Sequence, residues 1–196
     1  MIRKLGLVAV ACLALGVPAG SAQEITNFQT KAWGDTYAAF QKALKQHRPD
    51  KVTGESPPLD VARARLIYKA DPAEGAFQFW LAFYRMQWDA FHCSDRTAPQ
   101  GVTIIMMDLN ARDPEFLQAV HGAPLKLSAH KRILSEGAIF ARPSKPLWIC
   151  SHGISSFMGP AGIVPDDDPQ LQERRARVEP VLRKVVETLE GAPGVR

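Results

Sequence analysis

The hydrophobic positions of this sequence recur mainly at helical spacing. The first stripe consists of large apolar side chains three to five positions apart: Phe28, Trp33, Tyr37, Phe40 and Leu44. This spacing places them on one face of a helix. Thr26 and Gln29 have the form of a capping box at its start. A polar loop, broken by glycine and proline, follows over 48–58, and Leu59, Ala62, Leu66 and Ile67 then predict a short second helix.

The longest apolar run begins at a strong helix start signal. Asp71-Pro72-Ala73-Glu74 places an acceptor at the N-cap, proline at the first helical position and a carboxylate at the third, all favourable at the positive end of a helix. The segment from there to about Cys93 carries apolar side chains on every side, which is typical of a buried central helix. Arg85, Gln87 and Asp89 mark the side that reaches water or a buried polar partner.

The second half of the chain carries further helix signals. Thr97–Gln100 has capping-box form, and Asp-Pro pairs stand at 113–114 and 168–169. One helix is predicted to follow Gln100. Four more are predicted from Asp113 to Gly122, from Ser128 to about Phe140, from Ser144 to Phe157, and from Asp168 to about Leu189. Pro180 is expected to kink or split the last of these.

The alternative to helices rests on two segments. Residues 101–107 are rich in β-branched side chains, and 142–149 could also form a strand. Since such strands would need partners that the sequence does not offer, we predict an all-α fold. It is a single-domain bundle of about six to eight helices over 23–190, followed by a flexible tail over 191–196.

The N-terminal 22 residues have the three parts of a secretory signal peptide. Arg3 and Lys4 supply the positive charge, and the apolar run over 5–17 is too short to span a bilayer. Small residues precede Ala22, after which we expect cleavage, with the mature chain periplasmic or secreted. The alternatives are an uncleaved membrane anchor and a lipoprotein modified at Cys12.

Composition excludes several classes of protein. The chain has 196 residues, of which 46% are hydrophobic and 22% charged, a globular composition. Its formal net charge of +4 falls when the signal peptide leaves, so nothing indicates nucleic-acid binding. Charged residues interrupt every later apolar stretch, which predicts a mature chain without a transmembrane segment. No motif indicates a cofactor.

Two cysteines remain in the mature chain, Cys93 and Cys150. An even count in an oxidising compartment predicts that they form a disulfide. Each has a nearby histidine, His92 or His152, so a Cys2His2 metal set or a Cys–His nucleophile is the alternative. Structural zinc sites usually have paired ligands two to four residues apart on both arms. Because His92 directly precedes Cys93, the spacing favours the disulfide over the metal site.

The aromatic helix offers one further candidate site. Trp80, Tyr84 and Trp88 could line a groove for an apolar ligand or a partner helix, although a role in the core explains the same pattern. Because no reactive set converges, we predict a non-catalytic binding or interaction domain whose partner is a protein or a small apolar ligand. The alternative is a metal-handling protein or enzyme centred on His92/Cys93 and Cys150/His152.

The signal peptide yields a direct prediction. Protein recovered from the periplasm should begin at Gln23, because Ala22 supplies the small residue that signal peptidase requires. Intact-mass measurement checks this. A mass that retains residues 1–22, or a lipid on Cys12, would contradict it.

Overall fold

The computed structural model describes residues 32–154 and 162–192. The predicted signal peptide and the capping box at Thr26 lie outside these ranges. Within them the fold is all-α, as predicted, with eight α-helices and no strand. Extended residues pair there at one isolated antiparallel bridge, between Cys93 and Ile163.

The helices follow one another with short connections. In chain order they are α1 (residues 32–43), α2 (Pro57–Tyr68), α3 (Pro72–Phe91), α4 (Gln100–Arg112), α5 (Pro114–His121), α6 (Ala123–Glu136), α7 (Leu147–Cys150) and α8 (Pro169–Glu190). Two short 3-10 helices, Pro49–Lys51 and Ala138–Phe140, lie in the connections. None of the helices in the described part of the chain is long and apolar enough to cross a membrane.

Helix α3 is the centre of the fold. It begins as predicted, with the Asp71 side chain accepting a hydrogen bond from the Glu74 backbone N–H at 3.0 Å. Its main neighbours are α2 and α6. Gly75 permits close approach to α2, because a Cβ at this position would lie 2.4 Å from the Cα of Tyr68. Burial on several sides confirms the central helix that its apolar pattern predicts.

Side chains satisfy the backbone at several other helix ends. Asp113 accepts from the Phe116 backbone N–H at 3.1 Å, and Asp168 accepts from the N–H groups of Gln170 and Leu171. On α2, Arg65 donates from Nη2 to the carbonyls of Leu44 and Gln46 just beyond α1. These contacts use aspartate at helix starts and a cation at a helix end, where each charge is favourable.

Two predicted helix starts are wrong. Pro99, not Thr97, is the N-cap of α4, because the Thr97 hydroxyl donates to Asp95 and accepts from the Ile154 backbone N–H. Helix α6 begins at Ala123, five residues before Ser128. A proline in the first turn is favourable there, and Gly122 is both the C-cap of α5 and the N-cap of α6.

The helix predicted from Ser144 is also wrong, since within the described residues 144–154 the α-helix covers only Leu147–Cys150. Its buried side chains are Trp148, Ile149 and Cys150, whereas Leu147 and Ile154, on the predicted apolar face, are exposed. Burial of the tryptophan and the cysteine therefore decides the orientation of this segment. Phe157 lies outside the described residues. By contrast, α8 continues through Pro180.

A disulfide joins Cys93 to Cys150, as the even cysteine count predicts. Their Cα atoms are 5.1 Å apart, within the usual range for a disulfide. The bond attaches the end of α3 to α7 and closes a loop with a sequence separation of 57. In the chain-entropy model, such closure stabilises the fold by about 4 kcal/mol.

The packing of α3 yields a stability prediction. Phe79 is fully buried, whereas Phe83 is only partly buried. Phe79→Ala should lower the free energy of unfolding by about 3–5 kcal/mol, because it removes a buried ring and leaves a cavity. Phe83→Ala, the matched control on the same helix, should cost less. Urea denaturation with the disulfide intact measures both, and equal losses would contradict the prediction.

Candidate functional site

A cavity of about 570 Å³ lies between α1, the start of α2, the C-terminal half of α3 and the segment 139–148. Its volume is within the range of small-molecule sites. Trp88, Ile139 and Trp148 contribute apolar surface, and Arg85, Asp89 and Ser144 contribute polar groups. The walls therefore combine apolar surface with a few fixed polar atoms, which is the usual composition of a ligand site.

Stacked aromatic rings fix the wall that α7 forms. The ring of Trp33, on α1, stacks on that of Trp148 with centroids 6.0 Å apart, and on that of His152 at 4.3 Å. Tyr37, one turn later on α1, also stacks on Trp33, with ring centroids 5.4 Å apart. These contacts hold α1 against the segment of α7, whose Leu147 and Trp148 line the cavity.

Asp89 is the polar centre of the site. It is only 4% exposed, and its carboxylate accepts hydrogen bonds from the Ser144 hydroxyl and, at 2.8 Å, from Trp148 Nε1. Burial raises the pKa of the Asp89 carboxyl, although the hydrogen bonds from Ser144 and Trp148 and the charge of His92 act in the opposite direction. The carboxylate thus connects α3 to two residues of the facing wall.

His92 lies one turn beyond Trp88 and is 2% exposed. Its Nδ1 is 2.9 Å from the Trp88 carbonyl oxygen, which can only accept, so Nδ1 carries a proton and donates it. Its Nε2 is 2.8 Å from a carboxylate oxygen of Asp166. Ser144 Oγ lies 3.3 Å from Nδ1, but the hydroxyl proton is directed to Asp89.

These hydrogen bonds determine what chemistry the cluster can perform. A nucleophilic serine needs a histidine nitrogen that accepts its proton. The nitrogen of His92 nearest Ser144 is instead a donor to a backbone carbonyl. The group resembles a serine–histidine–aspartate set in composition, but its hydrogen bonds serve to hold the wall of the cavity.

Arg85 is the basic residue that α3 contributes to the cavity, and it is less exposed than Arg142 and Lys145. Its Nη2 donates to the Ala138 carbonyl at 2.7 Å. No carboxylate of the described residues lies within ion-pair distance of it, and its Nε is buried without a partner. Burial lowers the pKa of Arg85, and the charge of Arg142 lowers it further.

The other two basic side chains at the cavity have carboxylate partners. Arg142 Nη1 lies 3.6 Å from an oxygen of Asp60, and Lys145 Nζ lies 3.9 Å from one of Glu55. Both are mostly exposed, so their ion pairs are screened by solvent. Arg85 therefore differs from them in both burial and pairing.

The three aromatic residues proposed as a groove do not line one surface. Trp88 lines the cavity, though it is only 8% exposed. Trp80 is buried, and its Nε1 donates to the Val120 carbonyl at 2.9 Å. The Tyr84 hydroxyl lies 2.7 Å from Nε2 of His130, which is also buried. Trp80 and Tyr84 therefore pack against α5 and α6 rather than the cavity.

The proposed cysteine–histidine cluster is arranged differently from a metal set. The sulfur atoms of Cys93 and Cys150 are bonded to each other. His92 contacts Trp88 and Asp166, while His152 stacks on Trp33. Over 32–154 and 162–192, no group of three or more His, Cys, Asp or Glu side chains could hold a metal ion.

Sequence reasoning located part of this site. It identified Arg85 and Asp89 as charged interruptions of an apolar helix, and both have polar partners on facing segments. It did not identify Ser144 or Arg142 as site residues. No local signal marks them, because they reach the cavity only through the path of the segment after α6.

Comparison with known proteins adds no further assignment. No protein-family model matches this sequence, and neither curated proteins nor solved structures give a significant match.

The buried carboxylate yields a pH prediction. Since the pKa of Asp89 is raised above its unfolded value of about 3.9, the folded state holds this proton more tightly than the unfolded chain. This tighter proton binding stabilises the folded state fully below the unfolded pKa, and the stabilisation is lost as pH rises through the folded pKa of Asp89. The free energy of unfolding of the wild type, minus that of Asp89→Asn, should therefore fall as pH rises.

Urea denaturation of both proteins across a pH series provides this difference. Asparagine keeps the size of the side chain and can accept from Trp148 while donating to Ser144, but it does not titrate. A difference that is constant with pH, or that rises, would contradict the raised pKa.

Proposed function

We propose that this chain is an exported, non-catalytic binding protein that holds a small molecule in the cavity beside α3. The observation that carries the proposal is a cavity of about 570 Å³ whose polar wall residues are held by buried hydrogen bonds to Asp89. A preformed wall reduces the cost of ordering the site when a ligand binds. The apolar surface of Trp88, Ile139 and Trp148 supplies the contact area.

Binding accounts for the polar groups better than catalysis does. The Ser144 hydroxyl and the His92 ring nitrogens all have structural partners, namely Asp89, Trp88 and Asp166. A catalytic assignment would require these hydrogen bonds to be exchanged during turnover. As a binding site, the same groups keep their positions and shape the cavity.

Export is part of the proposal. It is supported by the signal-peptide pattern of the first 22 residues and by the Cys93–Cys150 disulfide, since disulfides persist in oxidising compartments. The ligand would then be a molecule present outside the cytoplasm.

An uncharged aromatic probe, 2-naphthamide, tests whether the cavity binds small molecules. We expect one equivalent to bind to the mature protein in isothermal titration calorimetry. The double variant Thr36→Trp/Leu147→Trp introduces two indole rings into the cavity lining and should weaken binding at least tenfold. Thr36 and Leu147 both line the cavity.

The control variant introduces two tryptophans outside the cavity. Met107 and Val181 are 65% and 60% exposed and do not line the cavity, so Met107→Trp/Val181→Trp should bind the probe like the wild type. Equal binding of 2-naphthamide to both double variants would refute the proposed site, as would failure of the wild type to bind either this probe or its carboxylate counterpart, 2-naphthoate.

A further inference from the structure

We propose that the ligand of this cavity bears a carboxylate on a largely apolar body, and that Arg85 binds the carboxylate. The inference rests on the proposed function and specifies its ligand class. It follows from the state of the charged groups around the cavity, which differ in burial and in whether they have partners.

Arg85 is the cationic group of the cavity without an anionic partner among the described residues. Its Nη2 donates to the Ala138 carbonyl, and its buried Nε has no hydrogen-bond partner. A guanidinium that is withdrawn from water without a counter-ion is costly. A carboxylate that binds beside it would offset this cost and match the planar geometry of its donors.

The carboxylates near Arg85 are already engaged. Asp60 accepts from Arg63 Nη1 at 2.5 Å and lies 3.6 Å from Arg142. Asp89 accepts from Ser144 and Trp148. Both lie close enough to Arg85 to raise its pKa, yet neither forms an ion pair with it. No carboxylate of the described residues is thus paired with Arg85, and we assign this role to the ligand.

A cationic ligand fits these groups less well. Asp35 also lines the cavity and has no ion pair in the described part of the chain, but it is exposed to solvent and needs no partner. An ammonium group bound in the cavity would approach Arg85, whose charge repels it. The remaining deep surface, from Trp88, Ile139 and Trp148, is apolar and suits the body of the ligand.

A matched pair of probes tests this inference. The pair, 2-naphthoate and 2-naphthamide, share one aromatic body and differ in the charge of the head group. Calorimetry on the wild type should give tighter binding of the carboxylate by about tenfold to a hundredfold, the effect of hydrogen bonds to a charged group. Arg85→Met should abolish this preference while 2-naphthamide still binds, which shows that the variant is folded.

Lys145→Met is the matched control. It removes one positive charge from the cavity rim, where Lys145 is 72% exposed and paired with Glu55. The preference for 2-naphthoate should persist in this variant, because a screened charge at the rim contributes little. If Lys145→Met lowers the preference as much as Arg85→Met does, the effect is one of overall charge and the assignment to Arg85 fails.

The remaining outcomes separate the two proposals. Equal wild-type affinity for both probes would overturn the carboxylate inference but leave the binding function in place. Retention of the preference in Arg85→Met would also overturn the inference. Failure of both probes to bind would refute the cavity as a ligand site altogether.

Discussion

The hydrogen bonds of one buried carboxylate connect the central helix to the wall of the cavity. Asp89 lies on α3, and its oxygens accept from Ser144 and from Trp148 Nε1, which stand on either side of the turn into α7. Removing Asp89 would leave a buried indole N–H without an acceptor, at a cost of about 1–3 kcal/mol. Retaining it requires a carboxylate to be withdrawn from water, and its raised pKa reflects that requirement.

The disulfide acts on the same two segments as Asp89. Cys93 follows Asp89 by one helical turn, and Cys150 follows Trp148 by two residues. Beyond the bridge, the Val164 N–H donates to the His92 carbonyl at 2.7 Å, so the chain before α8 is attached to the end of α3 as well. The position of the cavity wall thus depends on a covalent bond and a buried polar network that support each other.

The two charged side chains that α3 contributes to the cavity differ in their hydrogen-bond partners, and this difference supports the proposed binding function. Asp89 has two side-chain donors, whereas Arg85, one turn earlier, has only a carbonyl acceptor. In an otherwise apolar helix, a half-buried arginine without a carboxylate is destabilising unless something else pairs with it. A carboxylate ligand would supply the missing partner of Arg85. The unpaired guanidinium would then destabilise the free protein but contribute to ligand binding.

Local sequence determined the helices that begin with an Asp-Pro cap, the burial of α3 and the pairing of the two cysteines, because each depends on contacts within a few residues or on a count. Prediction from local sequence failed where contacts between distant residues compete with local signals. The Thr97 hydroxyl bonds to Asp95 and Ile154 instead of capping α4, and the segment expected to form a long helix from Ser144 instead buries Trp148 against Asp89. The cavity is likewise a product of tertiary structure, since its walls come from segments far apart in the chain.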